Sequence, residues 1–284
     1  MTIIGIDIGG TRTRIAAFNR AQPRAPIARR EFMTHPLYAD QLHRIVETIG
    51  SLNQRPNALG VSICGRISAD GRVVVNSLNL PDYEGVAIAD DLAARVGSPA
   101  FVAHDATCGL LGEHWYGVLA ARSNSAYVTV STGIGAAIQI GTLGRTLIRT
   151  IEAGHQLITS QEVICACGQR GCVDALLGGR QVSRRLGKTL ADIEDPAFWD
   201  EYVQRLALVV INIAACTGIN ALCVGGGVVA GRPLLVKHLG ERVATLSIHA
   251  AVEVMQTELG EDSPLIGASI LPRMISEHCT ILHQ

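Results

Sequence analysis

The sequence predicts an α/β protein made of two similar units, and three observations carry that expectation. Short apolar runs of strand length alternate with longer segments whose apolar residues recur at helical spacing. The opening pattern of strand, glycine turn and second strand returns from residue 126 onward. The 284 residues also exceed the ~100–200 residues of one ordinary domain. With 48% hydrophobic and 17% charged residues, the chain can bury a sizeable core and lacks the signature of disorder.

The elements follow in order. Residues 3–8 form an apolar run ending in Gly9-Gly10-Thr11, and 13–18 resume strand character. Two strands joined through Gly-Gly read as a hairpin. Residues 38–52 carry apolar side chains at 42, 45, 46 and 49, the spacing of a helix. Strands are expected at 58–63 and 72–76, a helix at 86–96, and a short strand at 101–103 that stops just before Asp105. A helix then runs from Asp105 to Leu119. The pattern restarts with a strand at 126–130, the turn Ser131-Thr132-Gly133-Ile134-Gly135, and a partner strand at 136–140. A long buried helix spans 198–213, and a strand at 221–224 runs into Gly225-Gly226-Gly227. After a further helix and strand, a terminal helix is expected over 263–275. The expected lobes are 1–104 and 105–262, with the terminal segment 263–284 packing back on the first.

Charge and hydropathy exclude several functions. Twenty-four Lys plus Arg against 25 Asp plus Glu leave a net charge of -1, against the basic surplus that nucleic-acid binding needs. No apolar run reaches the ~18 residues of a membrane helix. Met1 leads straight into a strand without a basic leader, so the expected location is cytoplasmic. Of eight cysteines, Cys165, Cys167 and Cys172 cluster while the others lie scattered among apolar neighbours. In a reducing compartment, clustered thiols point to a metal.

Three glycine turns are candidates for phosphate chemistry. In Asp7-x-Gly9-Gly10-Thr11, backbone N–H groups at the hairpin tip can approach a phosphate, and Asp7 can hold a hydrated Mg²⁺ or its water. Thr132-Gly133-x-Gly135 repeats the arrangement, and Gly225–Gly227 ends a strand, where an α/β fold can admit a nucleotide. The alternative for any one of them is an ordinary turn. None matches P-loop or G-x-G-x-x-G spacing. Cys165-x-Cys167-x₄-Cys172 with His155 would complete a closed Cys₃His zinc site, a redox pair being the alternative. Asp105 stands at a strand-to-helix junction, as a catalytic carboxylate or as a helix cap. Glu152 and Asp174 flank the cysteine loop, as ligand contacts or as solvated acids.

Together the DxGGT turn, the strand-terminal Asp105, Glu152-Ala153-Gly154-His155 and Cys165-x-Cys167-Gly168-x-x-Gly171-Cys172 resemble the ROK family (repressor, open reading frame, kinase) of sugar kinases. The resemblance covers essentially the whole chain. It implies a duplicated actin/Hsp70/hexokinase-like ATPase fold, two lobes around a cleft, with ATP and Mg²⁺ as cofactors, a structural zinc and a homodimer. It places ATP on Asp7, Gly9, Gly10, Thr11, Thr132, Gly133, Gly225 and Gly226. It makes Asp105 the general base and assigns sugar contacts to Gly65, Asn79, His104, Asp105, Glu152, His155 and Asp174. Its zinc ligands fall on His155, Cys165, Cys167 and Cys172. The chain opens on the kinase strand rather than a helix-turn-helix, so it resembles the kinase branch.

Four departures from the family pattern surround the sugar. His104 stands where Asn is usual, Cys64-Gly65 replaces Pro-Gly, the approach to Glu152 is shorter, and Asp174 replaces Glu. The expected activity is ATP-dependent phosphorylation of a hexose or N-acetylhexosamine, at the 6-hydroxyl, without nucleic-acid or membrane partners. The departures motivate a second reading, a sugar-responsive binding protein on a kinase scaffold with little turnover.

Overall fold

A computed structural model describes residues 1–19, 22–142, 145–159, 163–248, 251–274 and 279–283. Its elements begin with β1 (Thr2–Ile8), β2 (Arg12–Asn19), β3 (Gln22–Met33), α1 (Tyr38–Ser51), β4 (Ala58–Ile63), β5 (Arg66–Ile67), β6 (Val74–Asn76), α2 (Ile88–Val96), β7 (Ala100–His104) and α3 (Asp105–Tyr116). There follow β8 (Asn124–Val130), β9 (Ile134–Thr142), β10 (Arg145–Ile151), α4 (Val173–Leu177), α5 (Gly179–Leu186), α6 (Pro196–Thr217) and β11 (Ala221–Gly225). The chain closes with α7 (Gly227–Ala230), α8 (Leu235–Leu246), β12 (Glu253–Gln256), α9 (Ser263–Ala268), α10 (Leu271–Met274) and β13 (Cys279–Leu282).

Two compact units result. Unit 1 comprises Met1–Gly112, Thr142–Thr150 and Asp262–Gln284; unit 2 comprises Glu113–Gly141 and Ile151–Glu261. The sequence reading runs a second lobe continuously over 105–262. Here β10 groups with unit 1 because Thr146–Arg149 pair in parallel register with Cys279–Leu282.

In unit 1 the sheet order is β3-β2-β1-β4-β7, antiparallel through β1, β2 and β3 and parallel through β1, β4 and β7. Every residue of β4 is buried, as expected of a parallel strand covered on both faces. Ile6, Ile8, Leu59 and Val61 pack with Ile45 and Ile49 of α1 and Leu92 of α2. The carboxyl-terminal segment approaches this sheet and α3 backbone to backbone. A Cβ on Gly60 would fall well inside van der Waals contact of the Ala268 carbonyl, and one on Gly267 inside that of the Cys108 carbonyl.

Unit 2 repeats the scheme. Its strands β12, β11 and β8 are parallel, and β8 forms an antiparallel hairpin with β9. The core joins Val128, Val130, Leu222 and Val224 to Leu206, Val210 and Ile213 of α6 and Leu239 of α8. Helix α6 begins at an Asp195 cap, whose side chain accepts the Ala197 N–H at 2.9 Å, with Pro196 in its first turn. It ends at Gly218 in the left-handed conformation. Both ends thus carry the residues that satisfy helix termini, and the helix extends beyond the expected 198–213.

Three expectations change. Strand β3 has no counterpart in the sequence reading, since Pro23, Pro26 and four charged residues break any apolar pattern; it lies at the sheet edge, where proline and charge are tolerated. The helix expected over 263–275 is two short helices, because Pro272 cannot continue the first and a turn from Gly267 to Ile270 intervenes; Ile275 lies outside the described residues. The terminal strand β13 is additional. Among the described residues no helix is long and apolar enough to cross a membrane.

Two glycine substitutions should act in opposite directions. Gly50 lies in α1, where an added Cβ would meet open space, so Gly50→Ala should raise unfolding stability by about 0.5–1 kcal/mol. Gly60→Ala must push the Ala268 backbone away and should lower it by at least ~1–3 kcal/mol. Urea unfolding of both variants measures this; a Gly60→Ala protein as stable as the parent contradicts the seating of the terminal segment.

Candidate active site and metal centre

The first glycine turn is built by strand register. In the β1–β2 hairpin Asp7 pairs with Arg14, and in the β1–β4 ladder it pairs with Ser62. Cross-strand neighbours share a face, so three polar side chains meet inside an otherwise apolar sheet. Asp7 is buried; its Oδ1 accepts Ser62 Oγ at 2.7 Å, and its Oδ2 accepts Arg14 Nη2 at 2.8 Å and Nε at 3.2 Å. Arg14 also reaches Asp262 at 3.5 Å. Burial raises the Asp7 pKa, with the Arg14 charge and the Ser62 hydrogen bond opposing the rise.

The tip of that hairpin is braced. Gly9 N–H donates to Arg12 O at 2.9 Å, Thr34 Oγ1 donates to Gly9 O at 2.8 Å, and Thr34 N–H donates to Thr11 O at 2.9 Å. Thr34 Oγ1 lies 2.9 Å from Thr13 Oγ1, which accepts from the buried Gln41 amide at 2.6 Å. Because Arg14 already occupies Asp7, the donor set does not fit a directly coordinated Mg²⁺. The remaining carboxylate lone pairs suit a metal-bound water at most.

Asp105 lies where β7 becomes α3. Its Oδ1 accepts the Ala106 N–H at 2.6 Å and stands 3.0 Å from His104 Nδ1, which also accepts from Ala106 N–H at 3.2 Å. Asp105 is itself the first residue of α3 and accepts only the next N–H, so the position that caps the helix is His104. Cys64 and Cys108 lie nearby, both buried. Burial, then the Asp105 and Asp7 charges, push the Cys64 thiol up to about 12. Burial, then the same two charges, hold Cys108 well above its ordinary value; both are inert thiols. Gly65 has φ +127°, and a Cβ there would lie 2.6 Å from Asn76 O. Ser77 Oγ donates to Cys64 O at 2.9 Å and Leu80 N–H donates to Ser77 O at 3.2 Å, so half-buried Asn79 sits in a fixed turn.

Unit 2 holds the second group. The turn closes with Ser131 N–H on Gly133 O at 3.0 Å. Gly226, at φ +99°, passes so close to β8 that a Cβ would lie 2.5 Å from Val130 O; that glycine has a packing reason independent of any phosphate. In the cysteine loop, Gly168 and Gly171 adopt positive φ of 90° and 75°, and Cys165 N–H donates to Gln169 O at 2.8 Å.

The four ligand atoms of His155, Cys165, Cys167 and Cys172 lie within 4.8 Å of one another. Cys167 Sγ is 3.7 Å from Cys172 Sγ, and His155 Nδ1 is 3.9 Å from Cys165 Sγ. A Zn–S bond of ~2.3 Å implies a tetrahedral edge of ~3.8 Å, so the geometry and the donor chemistry both fit zinc. Among the described residues the cysteines are free rather than disulfide-linked. Without metal, burial and neighbouring thiols push Cys172 up to about 12. His155 Nε2 faces the exposed Glu152, with Oε2 at 3.9 Å. Asp174 turns its Oδ1 to the Ile134 N–H at 2.9 Å; burial raises its pKa, and that hydrogen bond and the His155 charge oppose the rise.

The candidate residues thus fall into two groups. Asp7, Gly9, Gly10, Thr11, Gly65, Asn79, His104 and Asp105 belong to unit 1. Thr132, Gly133, Glu152, His155, Asp174, Gly225, Gly226 and the three cysteines belong to unit 2. Sequence reasoning missed Arg14, Ser62, Thr34 and Gln41. A signal for Arg14 existed in the hairpin itself: with 8 paired to 13 across a four-residue tip at 9–12, residue 14 stands opposite residue 7.

The ROK family profile matches residues 3–274. A glucokinase of Thermotoga maritima is 26% identical, over 95% of this chain and 96% of its own length. An N-acetyl-D-glucosamine kinase of Vibrio parahaemolyticus is 25% identical over 94% and 98%. A crystal structure of a ROK family glucokinase from Streptomyces griseus, in complex with glucose and AMPPNP, superposes with a TM-score of 0.83 at 22% identity. The match covers 96% of this chain and 100% of that one.

The Asp7–Arg14 pair makes a signed prediction. Arg14→Met leaves a buried carboxylate without its counter-charge and should cost roughly 2–4 kcal/mol at neutral pH, less than for a wholly buried pair because Arg14 is partly exposed. Burial holds the folded pKa of Asp7 above its unfolded value, and losing Arg14 raises it further. The cost is therefore greatest above that folded pKa and shrinks as pH falls through it. Adding Asp7→Asn should restore most of the loss. Unfolding measured across the acid range checks both statements; a pH-independent loss would show that Asp7 carries no strain.

Proposed function

The chain belongs to the ROK family, and from that premise we propose that it transfers the γ-phosphoryl group of Mg·ATP to a hexose or N-acetylhexosamine, at the 6-hydroxyl. The observation that carries the reading is Asp105: a half-buried carboxylate at the end of a parallel strand, oriented through one oxygen by the Ala106 N–H. The relatives named glucokinase and N-acetylglucosamine kinase support the substrate class.

In this reading the second oxygen of Asp105 accepts the proton of the attacking hydroxyl. The sugar oxygen forms a bond to the γ-phosphorus, the bond to the β–γ bridging oxygen breaks, and ADP leaves with that electron pair. The protein has little covalent work to do, so positioning and electrostatics carry the rate. Backbone N–H groups at Gly9, Gly10 and Thr11, and at Thr132, Gly133, Gly225 and Gly226, receive the phosphates. Mg²⁺ arrives with ATP as part of the substrate complex. Gly65, Asn79, His104, Glu152 and His155 serve the sugar side.

His155, Cys165, Cys167 and Cys172 would hold the zinc. When bound, it would contribute folding energy and keep the loop between Glu152 and Asp174 rigid, with no open position for chemistry.

Asp105→Asn keeps the size and polarity of the side chain and removes the proton acceptor. General-base catalysis contributes ~10²–10⁴-fold, so kcat should fall by that order while the sugar dissociation constant stays within a few-fold. Steady-state kinetics together with calorimetry of sugar binding checks this; near-normal turnover would reduce Asp105 to a structural residue at the start of α3.

Metal analysis of protein purified without chelator should give one zinc per chain. Cys167→Ser should lower that stoichiometry and the melting temperature together, because binding energy at such a site is folding energy. Zinc-free protein of undiminished stability would rule out the knuckle.

A further inference from the structure

Asp174 is more tightly built into unit 2 than a sugar-facing acid needs to be. It follows Cys172 by two residues and sits in the first turn of α4. Its Oδ1 accepts the Ile134 N–H at 2.9 Å, and that N–H belongs to the turn containing Thr132 and Gly133. Two further bonds tie the start of the next helix, α5, to the same turn: Gly179 N–H to Ser131 O and Arg180 N–H to Thr132 O, both 2.9 Å. The fit leaves no slack. A Cβ on Gly133 would lie 2.8 Å from Asp174 Oδ1, and one on Gly178 2.6 Å from it. On the other side, Val173 N–H donates to Gln156 O at 3.0 Å, beside His155. One unbroken run of contacts therefore joins the cysteine loop, Asp174 and the turn.

We propose that Asp174 is a positioning residue for the nucleotide: it fixes the Ser131–Ile134 turn in the shape that receives ATP phosphates and transmits the order of the Cys₃His loop to that turn. The proposal rests on the reading of Thr132 and Gly133 as a phosphate turn. It also explains why an acid of aspartate length stands here. A carboxylate one methylene longer would overreach the Ile134 N–H, and the space around Asp174 Oδ1 is too tight to take even a Cβ on Gly133 or Gly178. The sequence resemblance to the family points Asp174 toward the sugar, so the two roles make opposite predictions.

The test measures calorimetric binding of AMPPNP, and separately of glucose and N-acetylglucosamine, to the full chain. Asp174→Ala should weaken AMPPNP about tenfold or more, the scale of one charge-assisted hydrogen bond, with sugar affinity nearly unchanged. Asp174→Asn, whose amide oxygen can still accept the Ile134 N–H, should keep most of the AMPPNP affinity. Removing zinc should weaken AMPPNP binding to the parent protein and add little in Asp174→Ala. Sugar affinity lost with AMPPNP affinity intact, or both lost equally, overturns the proposal. If the parent protein fails to bind AMPPNP, the kinase reading fails instead. The link is then read from hydrogen exchange: the Ile134 amide should be protected in the parent and fast in Asp174→Ala, and equal exchange in the two would overturn it.

Discussion

Ala268 and Cys108 present their carbonyls to Gly60 and Gly267 so closely that no side chain could intervene, and the arrangement of unit 1 depends on that seating. Gly60 lies on β4, which pairs with β1 on one side and β7 on the other. Strand β1 carries Asp7, and β7 delivers Asp105 to the start of α3. Clamping the terminal segment on β4 and α3 thus fixes the scaffold from which both carboxylates project. Interiors packed to this density transmit small displacements, and phosphoryl transfer is sensitive to misplacement of a single group.

Electrostatics within unit 1 follow from the same register. A lone aspartate in a parallel sheet would be costly. Arg14 and Ser62, delivered by the neighbouring strands, offset that cost and occupy both carboxylate oxygens. Asp7 is therefore a preorganised part of the turn and not a loose metal ligand. Asp105 is held differently, through one oxygen, by the Ala106 N–H. In unit 2 Asp174 is held by the Ile134 N–H, and His155, Cys165, Cys167 and Cys172 converge beside it.

Much of this was legible in the sequence. Apolar runs at 3–8, 58–63, 126–130 and 221–224 located the central strands, because buried parallel strands carry little but apolar residues. Cysteine spacing picked out the loop whose three thiols the fold brings together with the histidine ten residues upstream. Less legible were elements whose sequence does not reflect burial. Strand β3 is an edge strand rich in arginine, and β10 and β13 pair with each other across the length of the chain. Gly60 and Gly267 look like ordinary glycines until the third dimension supplies the carbonyls beside them. Asp174 shows the same limit at the site: its identity was readable, but the Ile134 amide it meets lies 40 positions away.

Catalytic turnover is the claim on which everything else rests. The direct measurement is product analysis by phosphorus NMR, with coupled ADP detection, after incubating the protein with Mg·ATP and a panel of hexoses and N-acetylhexosamines. The expected result is a sugar 6-phosphate formed in equal amount to ADP with at least one member of the panel, and negligible ADP without sugar. Sugars that bind but yield neither ADP nor a phosphorylated product would contradict it, and would make the chain a sugar-responsive binding protein on a kinase scaffold.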